Sequence, residues 1–225
     1  MIRPAHRLNG ITSYYFARKL AEIDRMNNDG QASVINLGIG SPDLPPHPSV
    51  TETLNMSSVG KDAHKYQPYK GTPELRNAFS QWYFRHFGVK MDPNEQILPL
   101  IGSKEGVMHI SMTFLDPGDE VLVPDPGYPS YSVCTRLAGY NMAGWRVGAI
   151  AGQKSYIDAV MTFKSNMDSG TFRPVQDAAV VALGLGDDWI RNLNSTYSHR
   201  KEAAMAIFDE LGLTCNPNGA GIFVW

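Results

Sequence analysis

Arg146 is the residue whose neighbours first suggest chemistry. It follows Trp145, and Gly144 and Gly148 on either side of it allow a backbone to approach another group closely. The planar guanidinium of an arginine matches the oxygen atoms of a phosphate or a carboxylate. A surface arginine in an ordinary turn has the same local sequence, so these residues alone leave both interpretations open.

A second candidate anion site lies where a predicted strand meets a predicted helix. The mostly apolar run 96–101 predicts a buried strand, and 107–115 predicts the apolar body of a helix. Between them stand Gly102, Ser103 and Lys104. Free backbone N–H groups, a hydroxyl and the positive end of the helix dipole converge at such a turn, which suits an anion. The glycine–lysine spacing is not that of a Walker A loop, and a helix N-cap without a ligand is the alternative.

Two tyrosines and a glycine are candidates for contacts with a ligand. Tyr128 follows the predicted strand 120–124, and open α/β sheets bind ligands at the carboxyl ends of their strands, so its ring could stack on one. Tyr66 lies in a loop before the predicted helix 73–87, and ordinary loop packing is its alternative role. Gly40 ends an apolar run. A proline two positions later argues against a dinucleotide-binding turn there and favours an extended segment along a pocket.

These side chains need an α/β framework to hold them. The strand 96–101, the helix 107–115 and the strand 120–124 form a predicted strand–helix–strand crossover, which indicates a parallel sheet. Apolar residues at helical spacing, together with capping residues, predict further helices at 13–26, 48–57, 73–87, 152–167, 174–183 and 187–211. The bulky residues of one of them are expected in the core: Phe79, Trp82, Tyr83 and Phe87.

Composition and charge exclude several classes of protein. The chain has 225 residues, of which 43% are hydrophobic and 19% charged, and its net charge is −2, so neither a nucleic-acid nor a membrane partner is indicated. No run has the features of a signal peptide or the length of a membrane span, which predicts a soluble, cytoplasmic protein. Cys134 and Cys215 lie far apart without metal-ligand spacing, so neither a metal site nor a disulfide is expected.

Several motifs occur in an order typical of one enzyme family. They are 36–43, 66–71 with Leu75 and Arg76, 102–106, 125–131, 141–148 and 217–225. The chain resembles the pyridoxal-phosphate-dependent aminotransferases of fold type I, classes I and II, and is most similar to the branch that contains alanine and LL-diaminopimelate aminotransferases. The resemblance implies an α/β fold with a three-layer αβα large domain, a mainly parallel sheet and a smaller α+β domain. The implied limits are 1–35 for an N-terminal arm, 36–186 for the large domain and 187–225 for the start of the small domain.

The resemblance also implies a cofactor, pyridoxal 5'-phosphate (PLP), and roles for individual residues. Those implied in cofactor binding are Gly102, Ser103, Lys104, Tyr66, Tyr128 and Arg146. Tyr128 would stack on the pyridine ring, and Tyr66 would reach the phosphate in the neighbouring subunit, which implies a homodimer with shared active sites. The others would bind the phosphate of their own subunit. Gly40 would line the pocket of the substrate carboxylate, and the substrates would be an amino acid and a 2-oxo acid of amino-acid biosynthesis.

One part of the family pattern has no counterpart in the sequence. The Schiff-base lysine of the family stands three residues before the asparagine of the arginine motif, a position that Ala138 occupies here. The acid that pairs with the pyridine nitrogen and the family's Asn-Pro-x-Gly segment are missing between Tyr140 and Asn141, and the carboxylate-binding arginine is not reached before the chain ends. No other lysine is expected to take the catalytic role, because the candidates belong to other segments: Lys104, Lys154 and Lys164.

Two explanations fit this gap between residues 140 and 141. Either an internal segment of a longer enzyme is omitted, or the segment is deleted. A deletion would remove core strands and expose apolar surface, so omission is expected. Amino-group transfer needs a lysine amine that moves a proton and an acid that keeps the ring nitrogen protonated. The sequence therefore predicts an aminotransferase in its intact form. The alternatives are a PLP-dependent lyase or synthase of the same fold, and an inactive PLP-binding remnant if the chain is truly this short.

Overall fold

The chain folds into two compact units. The computed structural model describes residues 15–29, 33–38, 40, 42–116, 118–124, 127, 130–131, 134, 147–168 and 170–219. The larger unit is formed by the described residues of His47–Gly184, and the smaller by those of Thr12–Pro46 and Leu185–Trp225. Among the described residues, no helix combines the length and the apolar character that crossing a membrane requires.

The order of elements confirms the helices that the sequence predicts, with ends that shift by a few residues. The described helices and strands are α1 (Tyr15–Asn28), α2 (Pro48–Ser58), α3 (Pro73–Phe87), β1 (Ile97–Leu100), α4 (Ser103–Phe114), β2 (Gly148–Ala151), α5 (Lys154–Lys164), α6 (Arg173–Gly184) and α7 (Asp187–Glu210). The first predicted strand, at 96–101, is confirmed as β1.

Helix α3 begins and ends where its capping residues predict. Thr72 is the N-cap, and its Oγ1 accepts a hydrogen bond from the Leu75 N–H at 3.3 Å. Pro73 takes the first helical position, where the missing N–H would have no partner within the helix in any case. Gly88 ends the helix in the left-handed region, with φ of 68°. The caps therefore fix the helix directly after the loop that carries Tyr66.

The core of the larger unit lies between a two-stranded sheet and α5. Strands β1 and β2 pair antiparallel, with Leu100 opposite Gly148. Leu98 and Leu100 of β1 pack with Ile157 and Val160 of α5, and all four side chains are almost completely buried. Full burial of such a side chain contributes about 1.5–3 kcal/mol. This cluster holds β1 in place, and α4 starts directly after it.

A buried glutamine joins two loops of the larger unit. Helix α6 packs against α2 and α3, and its Gln176 is 0% exposed. The Oε1 atom of Gln176 accepts a hydrogen bond from the Thr72 N–H at 2.6 Å, and Nε2 donates to the Thr171 carbonyl at 2.6 Å. Both ends of the buried amide are therefore satisfied, as buried polar groups usually are. Gln176 holds the loop before α3 beside the loop before α6.

The smaller unit is built on the 24-residue helix α7 together with α1. No residue of either helix is buried. Arg200 of α7 donates from Nη1 to Asp43 Oδ1 at 2.6 Å. Lys201 Nζ donates to the carbonyl oxygens of Pro217 and Gly219, at 2.5 and 2.9 Å. Polar contacts of this kind tie two loop segments to α7.

The second predicted strand, 120–124, does not form. Its residues belong to no strand, and the side chains of Val121, Leu122 and Val123 are 42%, 102% and 40% exposed. Among the described residues β1 pairs with β2 and antiparallel, so the predicted parallel crossover from β1 is wrong. An apolar strand is stable only when neighbouring strands pair with it and its faces are covered. The described residues supply neither for this segment.

The prediction that the aromatic residues of α3 lie in the core is also wrong. Trp82 and Tyr83 are half-buried, and Phe87 is 60% exposed. Their rings pack against one another, with 5.6 Å between the centroids of Trp82 and Phe87 and 5.2 Å between those of Tyr83 and Phe87. The buried residues of α3 are Leu75 and Arg76. Helical spacing identifies an apolar face, but it does not say whether another element covers that face.

Candidate cofactor-binding site

The N-terminus of α4 has the form of an anion-binding turn. Gly102 is its N-cap residue, is buried, and has φ of 127° and ψ of 162°. Because Gly102 has no side chain, the N-cap residue makes no side-chain capping hydrogen bond. Ser103, the first helical residue, is exposed, and Lys104 is half-buried. The N–H groups of a first helical turn have no partner within the helix, and the helix dipole favours negative charge there. This end of α4 can therefore accept a phosphate or a carboxylate.

Gly148 brings β2 into close contact with the turn. A Cβ atom at Gly148 would lie 3.1 Å from the Gly102 carbonyl carbon, 3.1 Å from Ser103 N and 3.2 Å from Gly102 Cα. Two backbones approach this closely only where one of them carries no side chain. Arg146 stands two positions before Gly148 in the sequence and lies outside the described residues. The chain that follows Arg146 therefore meets the turn.

Glu105 stabilises the turn from its buried side. Its Oε2 accepts a hydrogen bond from the Ile101 N–H at 2.5 Å, and its Oε1 accepts one from His109 Nε2 at 2.7 Å. Burial alone would raise the pKa of this carboxyl and is the largest single influence on it. The His109 hydrogen bond, the Lys164 charge and the Ile101 N–H together outweigh burial, so the pKa of Glu105 lies below its ordinary value. A carboxylate in the first turn of a helix also complements the dipole.

Ser130 and Cys134 lie in the segment that follows Tyr128, which is itself outside the described residues. Both side chains are buried, and Cys134 is a free thiol. Burial raises the pKa of that thiol, while the charge of Lys104 acts in the opposite direction, so Cys134 lies within electrostatic range of α4. Ser130 Oγ is buried without a hydrogen-bond partner among the described residues. Because a buried hydroxyl normally has a partner, a polar ligand group would complete it.

The other two predicted site residues that the structure describes lie elsewhere. Tyr66 is 91% exposed, in the loop before α3. The Gly71 N–H donates to the Pro68 carbonyl at 2.8 Å and closes a turn in that loop. Gly40 belongs to the smaller unit and is half-buried. The structure thus brings the predicted residues 102–104 together at one helix end and places Tyr66 on the surface of the larger unit.

Sequence reasoning missed a buried ionic cluster behind the turn, formed by Glu105, His109, Lys164 and Asp168. The available signal was the four-residue spacing of Glu105 and His109 within α4, and of Lys164 and Asp168 at the end of α5. Ligand atoms of Glu105, His109 and Asp168 lie within 4.8 Å of one another, a distance compatible with metal coordination. However, Lys164 Nζ lies 2.5 Å from Asp168 Oδ1 and already supplies a cation. We therefore interpret the group as an ion-pair cluster.

The family of this chain follows from a comparison with known families. The model of "aminotransferase class I and II" matches residues 32–142 and 139–225, which together make up most of the chain. The chain belongs to this family of PLP-dependent enzymes of fold type I, which move an amino group between an amino acid and a 2-oxo acid. The predicted family, fold class and cofactor are thereby confirmed.

Curated relatives and solved structures agree with this assignment. LL-diaminopimelate aminotransferases of Nitratidesulfovibrio vulgaris and Desulforudis audaxviator are 27% and 28% identical to the chain. Both comparisons cover 98% of the chain, and 83% and 82% of the relative. Substrate-bound BacF of Bacillus subtilis has a TM-score of 0.92 at 21% identity, covering 100% of this chain and 83% of that one. The aspartate aminotransferase of Rhizobium meliloti has a TM-score of 0.85 at 20% identity, covering 98% and 81%.

The comparisons also locate the missing part of the family pattern. The family model matches in two parts that meet at residues 139–142. The alignment to the Nitratidesulfovibrio vulgaris relative extends over 327 residues, whereas this chain has 225. A stretch of the relative as long as a small domain therefore has no counterpart here. The exposed apolar run 120–124 precedes this place in the chain, which is consistent with neighbouring strands that lie in the stretch without a counterpart.

The residues that are present fit the phosphate end of PLP. The turn at Ser103, whose N-cap Gly102 makes no side-chain capping hydrogen bond, offers backbone donors. Two candidates for the catalytic amine are engaged by other groups. Lys154 Nζ lies 2.5 Å from Asp158, and Lys164 Nζ lies 2.5 Å from Asp168, so both amines are engaged in ion pairs.

Proposed function

We propose that the turn at the N-terminus of α4 binds the phosphate of PLP, and that the intact enzyme uses the cofactor for amino-group transfer. The backbone N–H groups of Ser103 and Lys104 donate to the phosphate oxygens, and the Ser103 hydroxyl adds a further donor. Gly102 leaves room for the phosphate because it has no side chain. The helix end, which has a glycine as its N-cap and packs against Gly148, is the observation that carries this proposal.

Arg146 and Tyr128 complete the proposed site. Two residues of chain span about 7 Å at most, so Arg146 stands within reach of the turn that Gly148 touches. Its guanidinium would bind the phosphate and neutralise part of its charge. Tyr128 comes two residues before the buried Ser130 and offers a flat surface for the pyridine ring. Together these residues hold the cofactor at its phosphate and along one face of its ring.

The chain binds and orients the cofactor, but it lacks the residue that moves the proton. When bound, PLP supplies an electron sink for the bonds at the amino acid's Cα atom. Lys154 and Lys164 are held by carboxylates of their own helix or of the loop behind it, and Lys104 belongs to the phosphate turn. We therefore infer that the active enzyme contains a segment between residues 140 and 141 that carries the lysine and the acid for the ring nitrogen.

Tyr66 and Gly40 are proposed to contact a neighbouring subunit and the substrate, respectively. Tyr66 is 91% exposed on a loop whose end is fixed by the hydrogen bond between Gln176 and the Thr72 N–H. An exposed aromatic side chain on a rigid loop suits contact with a second subunit, where its hydroxyl would donate to the partner's cofactor phosphate. This supports a homodimer with shared active sites. Gly40 lines the pocket of the substrate carboxylate.

The substrate class is proposed from the relatives. Several curated relatives of 26–28% identity are named LL-diaminopimelate aminotransferase. A diamino dicarboxylic acid is therefore the first amino donor to test, with a 2-oxo acid as acceptor. This activity would place the enzyme in amino-acid biosynthesis in the cytoplasm.

The domain limits 1–35, 36–186 and 187–225 belong to the same proposal. Among the described residues the compact units differ from these limits in two respects: residues 36–46 group with the smaller unit, and so do those of 15–35, which do not form a separate arm. The second boundary, near residue 186, lies close to the start of the smaller unit's second segment at Leu185.

Binding measurements with and without the phosphate test the proposal. We expect PLP to bind at least about tenfold more tightly than pyridoxal, which lacks the phosphate, and inorganic phosphate to compete with PLP. Ser103→Ala should weaken PLP by about 2- to 10-fold through the lost hydroxyl, and should leave pyridoxal unchanged. Ser155→Ala is the matched control, because Ser155 is exposed in the first turn of α5. Equal affinities for PLP and pyridoxal would refute the proposed site.

A further inference from the structure

The buried ionic cluster contains one lysine between two carboxylates. The side chain of Lys164 is 1% exposed, and those of Glu105 and Asp168 are 12% and 22% exposed. Lys164 Nζ lies 2.5 Å from Asp168 Oδ1 and 3.6 Å from Glu105 Oε1. Breaking such a buried pair is costly, because it leaves the remaining charge without compensation. The ammonium of Lys164 therefore connects α4 to the end of α5.

His109 belongs to the cluster but does not link its two carboxylates, those of Glu105 and Asp168. Its Nε2 bonds to Glu105 Oε1 at 2.7 Å, and an ionised carboxylate can only accept, so Nε2 carries the proton. His109 Nδ1 is buried without a hydrogen-bond partner among the described residues. The contact that spans the two carboxylates is therefore the one made by Lys164.

Each carboxylate of the cluster also holds a backbone N–H group of a neighbouring loop. Glu105 Oε2 accepts from the Ile101 N–H at 2.5 Å, one residue before the N-cap of α4. Asp168 Oδ1 accepts from the Gly170 N–H at 3.0 Å. One end of the cluster thus fixes the start of the anion-binding turn, and the other fixes the loop between α5 and α6.

The loop between α5 and α6 is in turn packed on the loop that carries Tyr66. Gly170 has φ of 88°, and a Cβ atom there would lie 2.7 Å from the Pro68 carbonyl oxygen, so only glycine fits this contact. The rings of His64 and Phe172 lie 5.7 Å apart between centroids. A continuous series of contacts therefore runs from the anion-binding turn, through Lys164, to the Tyr66 loop.

We propose that Lys164 is a positioning residue, which holds the anion-binding turn and the Tyr66 loop in a fixed relation through Glu105 and Asp168. This inference rests on the proposed phosphate site. Lys164 touches neither the turn nor Tyr66, so its effect on a bound phosphate is indirect. Without its ammonium the two carboxylates repel each other, Glu105 releases the Ile101 N–H, and the turn loses its fixed position.

Lys164→Met tests this proposal, and Lys154→Met is its matched control. Lys154 lies in the same helix and pairs with Asp158 four residues later at 2.5 Å, but its side chain is 53% exposed. We expect Lys164→Met to weaken PLP and inorganic phosphate by about tenfold, the scale of one charge-assisted hydrogen bond, and to leave pyridoxal unchanged. Hydrogen exchange at the Ile101 and Gly170 amides should become faster. Lys154→Met should change none of these, and Lys164→Arg should restore part of the affinity.

A second variant covers the case in which Lys164→Met does not fold. Asp168→Asn keeps an oxygen for the Gly170 N–H and removes the charge that holds Lys164, so it should weaken PLP in the same direction by a smaller factor. A purely structural lysine would lower the melting temperature and leave the phosphate affinity of the folded variants at the wild-type value, and that result would overturn the inference. If wild-type protein itself fails to prefer PLP over pyridoxal, the proposed phosphate site fails, which separates the two outcomes.

Discussion

The close approach of Gly148 to the anion-binding turn leads to the most specific prediction. In Gly148→Ala the new Cβ would meet three backbone atoms of Gly102 and Ser103 at 3.1–3.2 Å, and none of them can rotate away as a side chain could. Either the turn or β2 must move by a few tenths of an ångström. Overpacking of this kind costs about 1–3 kcal/mol, which corresponds to about 5- to 150-fold in an equilibrium constant. We expect the cost to appear in PLP affinity, because the turn is the ligand-binding element.

Isothermal titration with PLP measures how much of that cost lowers the affinity for PLP, and urea unfolding measures how much of it lowers the free energy of unfolding. Gly152→Ala is the matched control, since Gly152 directly follows β2 and a Cβ there would meet nothing within 4 Å. It should leave both PLP affinity and unfolding free energy unchanged within about 0.5 kcal/mol. If Gly148→Ala binds PLP and unfolds like the wild type, then the contact between β2 and the turn does not form as described.

Three further predictions concern stability. Glu105→Gln should cost about 3 kcal/mol near neutral pH, because it removes one carboxylate beside the buried lysine. Folding lowers the pKa of Glu105, so its contribution is complete above the ordinary value of 4.5 and is lost as the pH falls toward the folded-state pKa. The difference from wild type in urea unfolding should therefore shrink below pH 4.5, and a constant difference would contradict the described hydrogen bonds. Gln176→Leu should lower the free energy of unfolding in urea by about 2–5 kcal/mol, because it leaves the Thr72 N–H and the Thr171 carbonyl without their partner. Gln153→Leu, at an exposed position, is the control. Equal effects of the two substitutions would contradict this account. In a chain of 225 residues, Leu122→Ala should change the free energy of unfolding by less than about 0.5 kcal/mol. In a longer enzyme that covers residues 120–124, the same substitution should lower the free energy of unfolding by about 2–5 kcal/mol. A small effect in the longer enzyme would refute our explanation of why Leu122 is exposed here.

Local signals in the sequence predicted the helices well. Thr72, Pro73 and Gly88 define both ends of α3 through caps that act within a few residues, so no knowledge of the rest of the fold was needed. The turn at Gly102 was predictable for the same reason, since a strand followed by a glycine and a helix fixes it locally. Capping and turn signals of this kind depend only on residues that lie close together in the sequence.

Features that depend on distant partners could not be predicted in this way. The run Val121 to Val123 has the composition of a buried strand, but pairing requires neighbouring strands, and the described part of the chain does not supply them. The antiparallel pairing of β1 with β2 joins segments about 50 residues apart, and no local sequence pattern predicts it. The ionic cluster was hidden for a similar reason, because Glu105 and Lys164 meet only when α4 packs against α5.

The central claim is that this chain forms the phosphate-binding part of a PLP-dependent aminotransferase whose catalytic lysine lies in a segment between residues 140 and 141. Borohydride reduction of the PLP-loaded protein from its natural source, followed by intact and peptide mass analysis, tests this claim most directly. We expect an intact mass above 24.8 kDa and a single pyridoxyl-modified lysine in a peptide that is absent from the 225 residues. An intact mass of 24.8 kDa, or specific labelling of Lys104, Lys154 or Lys164, would contradict the claim.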